Sequence, residues 1–331
     1  MFKGYAGCVA RAGATAALAV LLATGARAET VLTFGGSDAI GSLLDRQNTM
    51  FSELVNERAG GELTINFIAG EALGNDIQVI EQMMAGSVHM YGDVLDWYAN
   101  WVQDFAILNW GFTFRGNDHV QAFLDSDVYA ELVEELRSEH GLRILAAAPT
   151  QPRVLFAQKE IETPAELADI KMRVPEIRTY LLLWETLGTR PSRVAWAEVF
   201  LGLRTGVIEA AEGPVSAAYA ARMHEAAPFV MRTDHLVSTN HITINDATFE
   251  SLSPELQQIV VDAAVEATQW ARTQAETETE ELIQKMAAEG STIVEVDREA
   301  FAEKALSGVA TMEKDGEWSE GLWAKIRALG G

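Results

Sequence analysis

The sequence predicts an α/β protein of two lobes, each an open sheet with helices, and one long helix lying along both. Three observations carry this. From residue 30 to residue 91, alternating segments and helically spaced segments follow each other in a β-α-β-α-β rhythm, which gives an open sheet with ligand loops at its strand ends. The chain has 331 residues, more than one hydrophobic core usually organises. Residues 253–290 read as a single helix, roughly 50 Å long at 1.5 Å per residue, more than one small lobe needs.

Taken in order, residues 1–28 read as a secretory signal. Lys3 and Arg11 give a positive front, Gly13 to Leu22 is an apolar run too short for a good membrane span, and Ala26-Arg27-Ala28 is a small-x-small cleavage site. The chain is expected to be exported from the cytoplasm. Cys8, the only cysteine, falls inside this segment, so the mature chain has no disulfide, thiol nucleophile or cysteine metal site. Cleavage leaves 22 Lys and Arg against 48 Asp and Glu, a net charge of −26. Such a chain repels nucleic acid and anionic lipid and suits a freely diffusing protein.

In the first lobe, Thr30 to Phe34 is a strand, Ile40 to Arg58 a helix ended by Gly60-Gly61, and Leu63 to Ile68 a second strand. Asn75 or Asp76 caps a helix over Ile77 to Ala85, which Gly86 closes, and Val88 to Tyr91 is a third strand. The loops offer Ser37, Asp38, Asn75 and Asp93. Asp96-Trp97-Tyr98-Ala-Asn100-Trp101 mixes aromatic and polar groups, suited to stacking on a ligand or to capping a core edge. Asp118 to His140 reads as one acidic amphipathic helix and Leu142 to Ala148 as a strand. Pro149-Thr-Gln-Pro152 is a breaker cluster and the first plausible crossing between lobes.

The second lobe opens on Arg153-Val-Leu-Phe-Ala, a strand with an arginine at its head. Thr163-Pro-Ala-Glu166 is a capping box. In Ala168-Asp-Ile-Lys-Met-Arg173-Val-Pro175, Ile170, Met172 and Val174 alternate with Lys171 and Arg173, and Pro175 stops the strand. A guanidinium at a strand end facing a cleft suits bidentate capture of a carboxylate or other oxyanion. A helix over Glu176 to Leu187, an extended Arg190 to Val194, a helix from Trp196, a strand over Val207 to Gly213 and a helix over Ala217 to Ala226 follow. Leu236 to Ile244 returns as a strand to the first lobe. Ser253-Pro-Glu255 starts the long helix, Ser as cap, Pro at the first position and Glu supporting the dipole, and Gly290 ends it. The expected division is residues 29–150 with 239–278 for the first lobe and 151–238 with 279–331 for the second, with the ligand cleft between them.

Enough residues now stand in order to show a resemblance. The chain after residue 28 resembles the extracytoplasmic solute receptors of the tripartite ATP-independent periplasmic (TRAP) transporters, the dicarboxylate-receptor-like family. Gly70 to Gly74 resembles that family's small-residue loop ending in Leu-Gly. Pro164 to Pro175 resembles its signature strand, with Asp169 and Lys171-Met-Arg173-Val-Pro175 kept. Leu187-Gly-Thr-Arg-Pro-Ser, Glu198-Val-Phe and Glu209 to Pro214 resemble three further motifs, and Thr233-Asp-His235 the "TNH" before the return strand. The resemblance implies a periplasmic binding protein of type II-like fold. It captures a small organic acid by lobe closure and delivers it to a small and a large integral membrane subunit.

Residue by residue, the resemblance implies that Arg173 pairs with the ligand carboxylate, that Arg153 is a second ligand-binding arginine, and that Trp196 faces the ligand. Asn75 and Asp93 fall near first-lobe polar contacts. His235 is read as a hinge residue, with a ligand contact as the alternative. Glu212, Trp97, Tyr219 and Asn240 complete the ligand-binding candidates. One departure stands out: the Asn of the family's "eNP" is Gly213, which removes an amide donor. The expectation is open space and close backbone approach there, with room beside Trp196 for a larger or more apolar acid. A sugar acid or other monocarboxylate is the leading ligand, while a dicarboxylate, aromatic acid or sulfonate also satisfies two arginines.

No cofactor or metal ligand cluster is expected, and the expected state is a monomer. Two other readings remain open, a periplasmic sensor serving a membrane kinase and a periplasmic enzyme acting on a small acid. Against the enzyme, the chain has no G-x-S-x-G, H-E-x-x-H or phosphate-loop motif. His224-Glu225 is followed by Ala-Ala-Pro228.

Overall fold

The structure, a computed structural model, describes Met1, Gly4 and residues 29–330. Those two residues apart, the secretory-signal segment lies outside the described residues. Among the described residues no helix is long and apolar enough to cross a membrane.

The chain opens with strand Thr30–Gly35 (β1), helix Leu43–Arg58 (α1), strand Leu63–Ile68 (β2), helix Asp76–Met84 (α2) and strand Met90–Val94 (β3). Ser42 caps α1 by accepting from the Asp45 amide at 3.1 Å, so the helix begins three residues later than its apolar spacing predicts. β3 is displaced toward its C-terminus because it pairs antiparallel with the return strand from Met90 to Val94. Two short 3₁₀ helices, Leu95–Asn100 and Gln103–Asn109, follow. The predicted single helix over 118–140 is two helices, Asn117–Leu124 (α3) and Asp127–His140 (α4). The break falls at Ser126, whose hydroxyl accepts from the Tyr129 amide and starts a new helix.

Strand Leu142–Ala157 (β4) runs through the predicted breaker cluster. The two prolines are absorbed as a register shift between Pro149 and Pro152 rather than as a stop, since a bulge tolerates a missing donor. Beyond it come strand Lys171–Val174 (β5), helix Arg178–Leu187 (α5), strand Arg190–Arg193 (β6), helix Val199–Thr205 (α6) and strand Ala210–Pro214 (β7). Helices Val215–Ala220 (α7) and Met223–Ala226 (α8), strand Phe229–Met231 (β8), strand Val237–Asn245 (β9) and helix Asp246–Ser251 (α9) follow. Helix Pro254–Ala288 (α10), strand Thr292–Val294 (β10) and helices Arg298–Leu306 (α11), Val309–Lys314 (α12) and Leu322–Arg327 (α13) end the chain.

Two mixed sheets result, joined through β4. The first runs β2-β1-β3-β9-β4, and the second runs from the far half of β4 through β7 and β5 to β6, with β8 and β10 on its other side. The first half of β4 pairs with β9, and Arg153 to Ala157 pair with β7. The cores follow. α10 buries Leu256, Val260, Ala263, Ala264 and Ala267 with Leu32, Phe34 and Ile65 of the first lobe. Its far end buries Ile283 and Met286 with Val154, Phe156 and Ala211 of the second. The helix thus bridges both lobes, as its 35-residue length requires.

Candidate functional site

Parallel strands β1, β2 and β3 end toward a cleft, and so do β5 and β7 of the other lobe. Ligands of open α/β sheets sit at such carboxyl ends. The cleft has an empty volume of about 650 Å³ and is lined by residues of both lobes. Of the residues named from sequence, Arg173, Arg153, Trp196, Asp93, Trp97 and Asn240 line it, and so do Ser37 and Asp38 after β1.

Arg173 sits one residue before the end of β5 and is 2% exposed. Its Nε donates to the Val194 carbonyl at 2.9 Å. Its guanidinium carbon lies 5.3 Å from the centre of the Trp196 ring. Among the described residues its two Nη groups meet no carboxylate at salt-bridge distance. Burial, with the like charge of Arg153, pushes the guanidinium down to about 10. It is therefore charged at neutral pH and poorly solvated, so an anion meeting it regains what burial removed.

Arg153 is placed differently. Its Nε and Nη2 donate to Glu212 at 2.6 and 2.7 Å. Glu212 is fully buried. His235 Nε2 lies 3.2 Å from the same carboxylate, and Nδ1 of that ring lies 2.8 Å from the Thr233 hydroxyl. Burial raises the Glu212 carboxyl, but Arg153 and His235 outweigh it and hold the group below its ordinary range. Arg153 also stacks over Tyr180 at 5.3 Å. It is a neutralised, fork-bonded pillar, and among the described residues only Arg173 offers an unpaired guanidinium to the cleft. Glu212 does not line the cleft and serves Arg153 instead. His235 lies buried just before β9, beside the register shift of β4, and its carbonyl accepts from the Phe112 amide at 2.7 Å.

The first lobe faces these arginines with carboxyl groups. Asp38 follows β1, Asp76 opens α2, Asp93 lies in β3 and Asp96 in the first 3₁₀ helix, and all four line the cleft. Asp76 accepts from the Tyr91 hydroxyl at 2.5 Å. Asp93 accepts from the Val94 amide at 2.8 Å and from Trp97 Nε1 at 3.2 Å. Asp96 accepts from the Tyr180 hydroxyl at 2.7 Å. Burial raises every one of them: Asp38 reaches about 7, with Asp76 adding to it, Asp93 is raised further by Asp76 and Asp38, and Asp76 and Asp96 also rise. Glu71, from the loop after β2, is raised to about 7 by burial and by Asp76, against the amides of Ala197 and Trp196 across the cleft. Asn240 Nδ2 donates to Gln47 at 3.1 Å, and its Oδ1 accepts from Thr150.

Three expectations need correction. Asn75 does not line the cleft. Its side chain is the N-cap of α2, in a reciprocal capping box with Gln78, and its neighbour Asp76 faces the cleft instead. Tyr219 points elsewhere: its ring stacks on His224 at 4.9 Å and its hydroxyl donates to Glu289 at 2.9 Å. Gly213 opens no space toward a ligand, because a Cβ there would meet Trp196 Cη2 at 3.0 Å. The indole fills the volume the missing side chain leaves. Sequence reasoning named Asp38 and Asp96 only as part of a loop and of an aromatic-polar run, and it left out Tyr180, Gln151 and Ser216 as cleft residues. Asp38 and Asp96 carried a signal, lying at a strand end and in an aromatic-polar run. Tyr180 and Gln151 carried none, because the fold alone brings them to the cleft.

Among the described residues no group of three or more His, Cys, Asp or Glu is arranged to hold a metal. Two lobes joined by crossing strands and a spine helix, closing on a cleft with one unpaired cation, define a two-lobed solute-binding protein. Residues 37–315 match the model of bacterial extracellular solute-binding protein family 7. The chain belongs to that family, the periplasmic solute-binding proteins of TRAP transporters.

It is 30% identical over 255 residues to the 2,3-diketo-L-gulonate-binding periplasmic protein YiaO of Escherichia coli, covering 76% of this chain and 77% of that one. A solute-binding protein of Roseobacter denitrificans is 29% identical over 278 residues, 82% of this chain and 85% of that one. A TRAP periplasmic solute-binding protein from Roseobacter denitrificans, solved with bound L-galactonate, superposes with a TM-score of 0.85 at 26% identity, covering 92% of this chain and 99% of that one.

Proposed function

We propose that this chain is a periplasmic receptor for a small acid with one carboxylate and a hydroxyl-rich body, delivered to TRAP-type membrane subunits. The observation that carries the ligand class is the polarity of the cleft. One wall has a single unpaired guanidinium, Arg173, and the facing wall has the carboxyls of Asp38, Asp76, Asp93 and Asp96. The ligand carboxylate takes both Nη groups of Arg173 in a fork. The facing wall of carboxyl groups offers hydrogen-bonding partners to the hydroxyls of a sugar acid. A dicarboxylate would set its second charge against that wall and is disfavoured. The ligands named for the E. coli and Roseobacter relatives, a diketogulonate and a galactonate, are polyhydroxy acids and support the reading.

The remaining assignments belong to the same proposal. Residues 29–150 with 239–278 form one closing body and 151–238 with 279–331 the other. Closure bends the chain where β4, β9 and α10 cross, near His235. Residues 1–28 are removed on export.

The test is titration calorimetry of the mature protein with L-galactonate, D-glucuronate, succinate and butyrate. The expected result is saturable binding of a hydroxy acid, with succinate and butyrate at least tenfold weaker. Succinate binding as tightly as the best hydroxy acid would overturn the ligand class.

A further inference from the structure

Gly213 lies in β7 with ordinary backbone angles, outside the left-handed region that favours glycine. Backbone conformation therefore does not demand a glycine there. The neighbour does: a Cβ at this position would lie 3.0 Å from Trp196 Cη2, 3.4 Å from Cζ3 and 4.0 Å from the Ala218 Cβ. The rim of the indole rests where a side chain would stand. No hydrogen bond fixes that ring, since Trp196 Nε1 is buried with no acceptor among the described residues. Packing alone sets its position. The same ring lies under the guanidinium of Arg173, 5.3 Å from its centre, and among the described residues Arg173 has only the Val194 carbonyl as a second restraint. A shift of the indole therefore moves the group that receives the ligand carboxylate.

We infer that Gly213 is a specificity-determining position that acts through Trp196. The missing side chain seats the indole against β7. The seated indole orients the Arg173 fork and fills the carboxylate end of the cleft. That end then takes an acid whose carboxylate is joined to an aliphatic carbon, and it excludes one that carries an aromatic ring on that carbon. Gly213 is thus a positioning residue that need not touch the ligand. The inference rests on the receptor reading above.

The test compares wild type, Gly213→Ala, Trp196→Phe and Gly213→Ala/Trp196→Phe by calorimetry with L-galactonate and with mandelate, a hydroxy acid that carries a phenyl ring on the carbon bearing its carboxylate. If L-galactonate proves not to be a ligand, the best hydroxy acid of the first panel replaces it. Gly213→Ala should weaken hydroxy-acid binding at least tenfold. The smaller phenyl ring of the double variant should give back the space and recover most of that loss. Trp196→Phe alone should gain affinity for mandelate relative to the hydroxy acid. Gly213→Ala binding like wild type would overturn the inference. So would a loss that Trp196→Phe does not repair, including one caused by misfolding in both variants. A wild-type protein that binds no hydroxy acid would instead refute the receptor's ligand class and remove the basis of this inference with it.

Discussion

Arg173→Ala and Arg153→Ala are expected to separate binding from folding, although both arginines are buried and both line the same cleft. Arg173 has Nε on Val194 and two Nη groups left for a ligand. Charge-assisted bonds contribute about 1.5–3 kcal/mol each, so two of them amount to about 3–6 kcal/mol. At about 1.4 kcal/mol per tenfold, Arg173→Ala should weaken acid binding roughly a hundred- to ten-thousand-fold. The unliganded protein should melt near the wild-type temperature, because the lost group was a desolvated cation without a carboxylate partner.

Arg153→Ala is the opposite case. It leaves Glu212 fully buried without its fork partner, and breaking a buried pair from one side costs about 3–5 kcal/mol. Its melting temperature should fall sharply before any ligand is added. The assays are calorimetry with the acid that the wild type binds and thermal unfolding without it. Arg173→Ala binding within threefold of wild type, or Arg153→Ala melting like wild type, would refute the assignment of the two roles.

Three further outcomes follow from the same geometry. Asp38 and Glu71 sit at about 7, raised from ordinary values of 3.8 and 4.5. A carboxyl raised in the folded state contributes stability that is fully present below its ordinary value and is lost as pH rises through the folded one. The melting temperature should therefore decline from pH 5 to pH 8, as should acid affinity while both groups ionise opposite Arg173. Asp38→Asn should flatten both profiles, and a rise of affinity with pH would contradict this. Asn75→Ala should cost about 1 kcal/mol of stability through loss of the cap, with acid affinity unchanged in calorimetry, since Asp76 and not Asn75 faces the cleft. Met286→Ala, at a fully buried site on the far end of α10, should cost about 2–5 kcal/mol in denaturant unfolding. A negligible cost would mean that the spine helix does not anchor the second lobe.

The sequence by itself determined most of the local elements and singled out Arg173. Periodicity and caps are local, so Leu63–Ile68 and the helix starting at Ser253 were readable from residues a few positions apart. Arg173 was readable as a cleft candidate because it stands between alternating apolar residues near a strand end, two positions before a proline. Tertiary structure alone decided the rest. Whether Pro149 and Pro152 end a strand or kink it depends on β9 pairing past them. Whether Arg153 meets a ligand or an internal partner depends on Glu212, 59 residues away in sequence, lying diagonally across on β7. Whether Gly213 opens the cleft depends on where an indole from another element comes to rest. Charge pairing and volume filling are contacts between distant residues, and spacing along the chain carries no record of them.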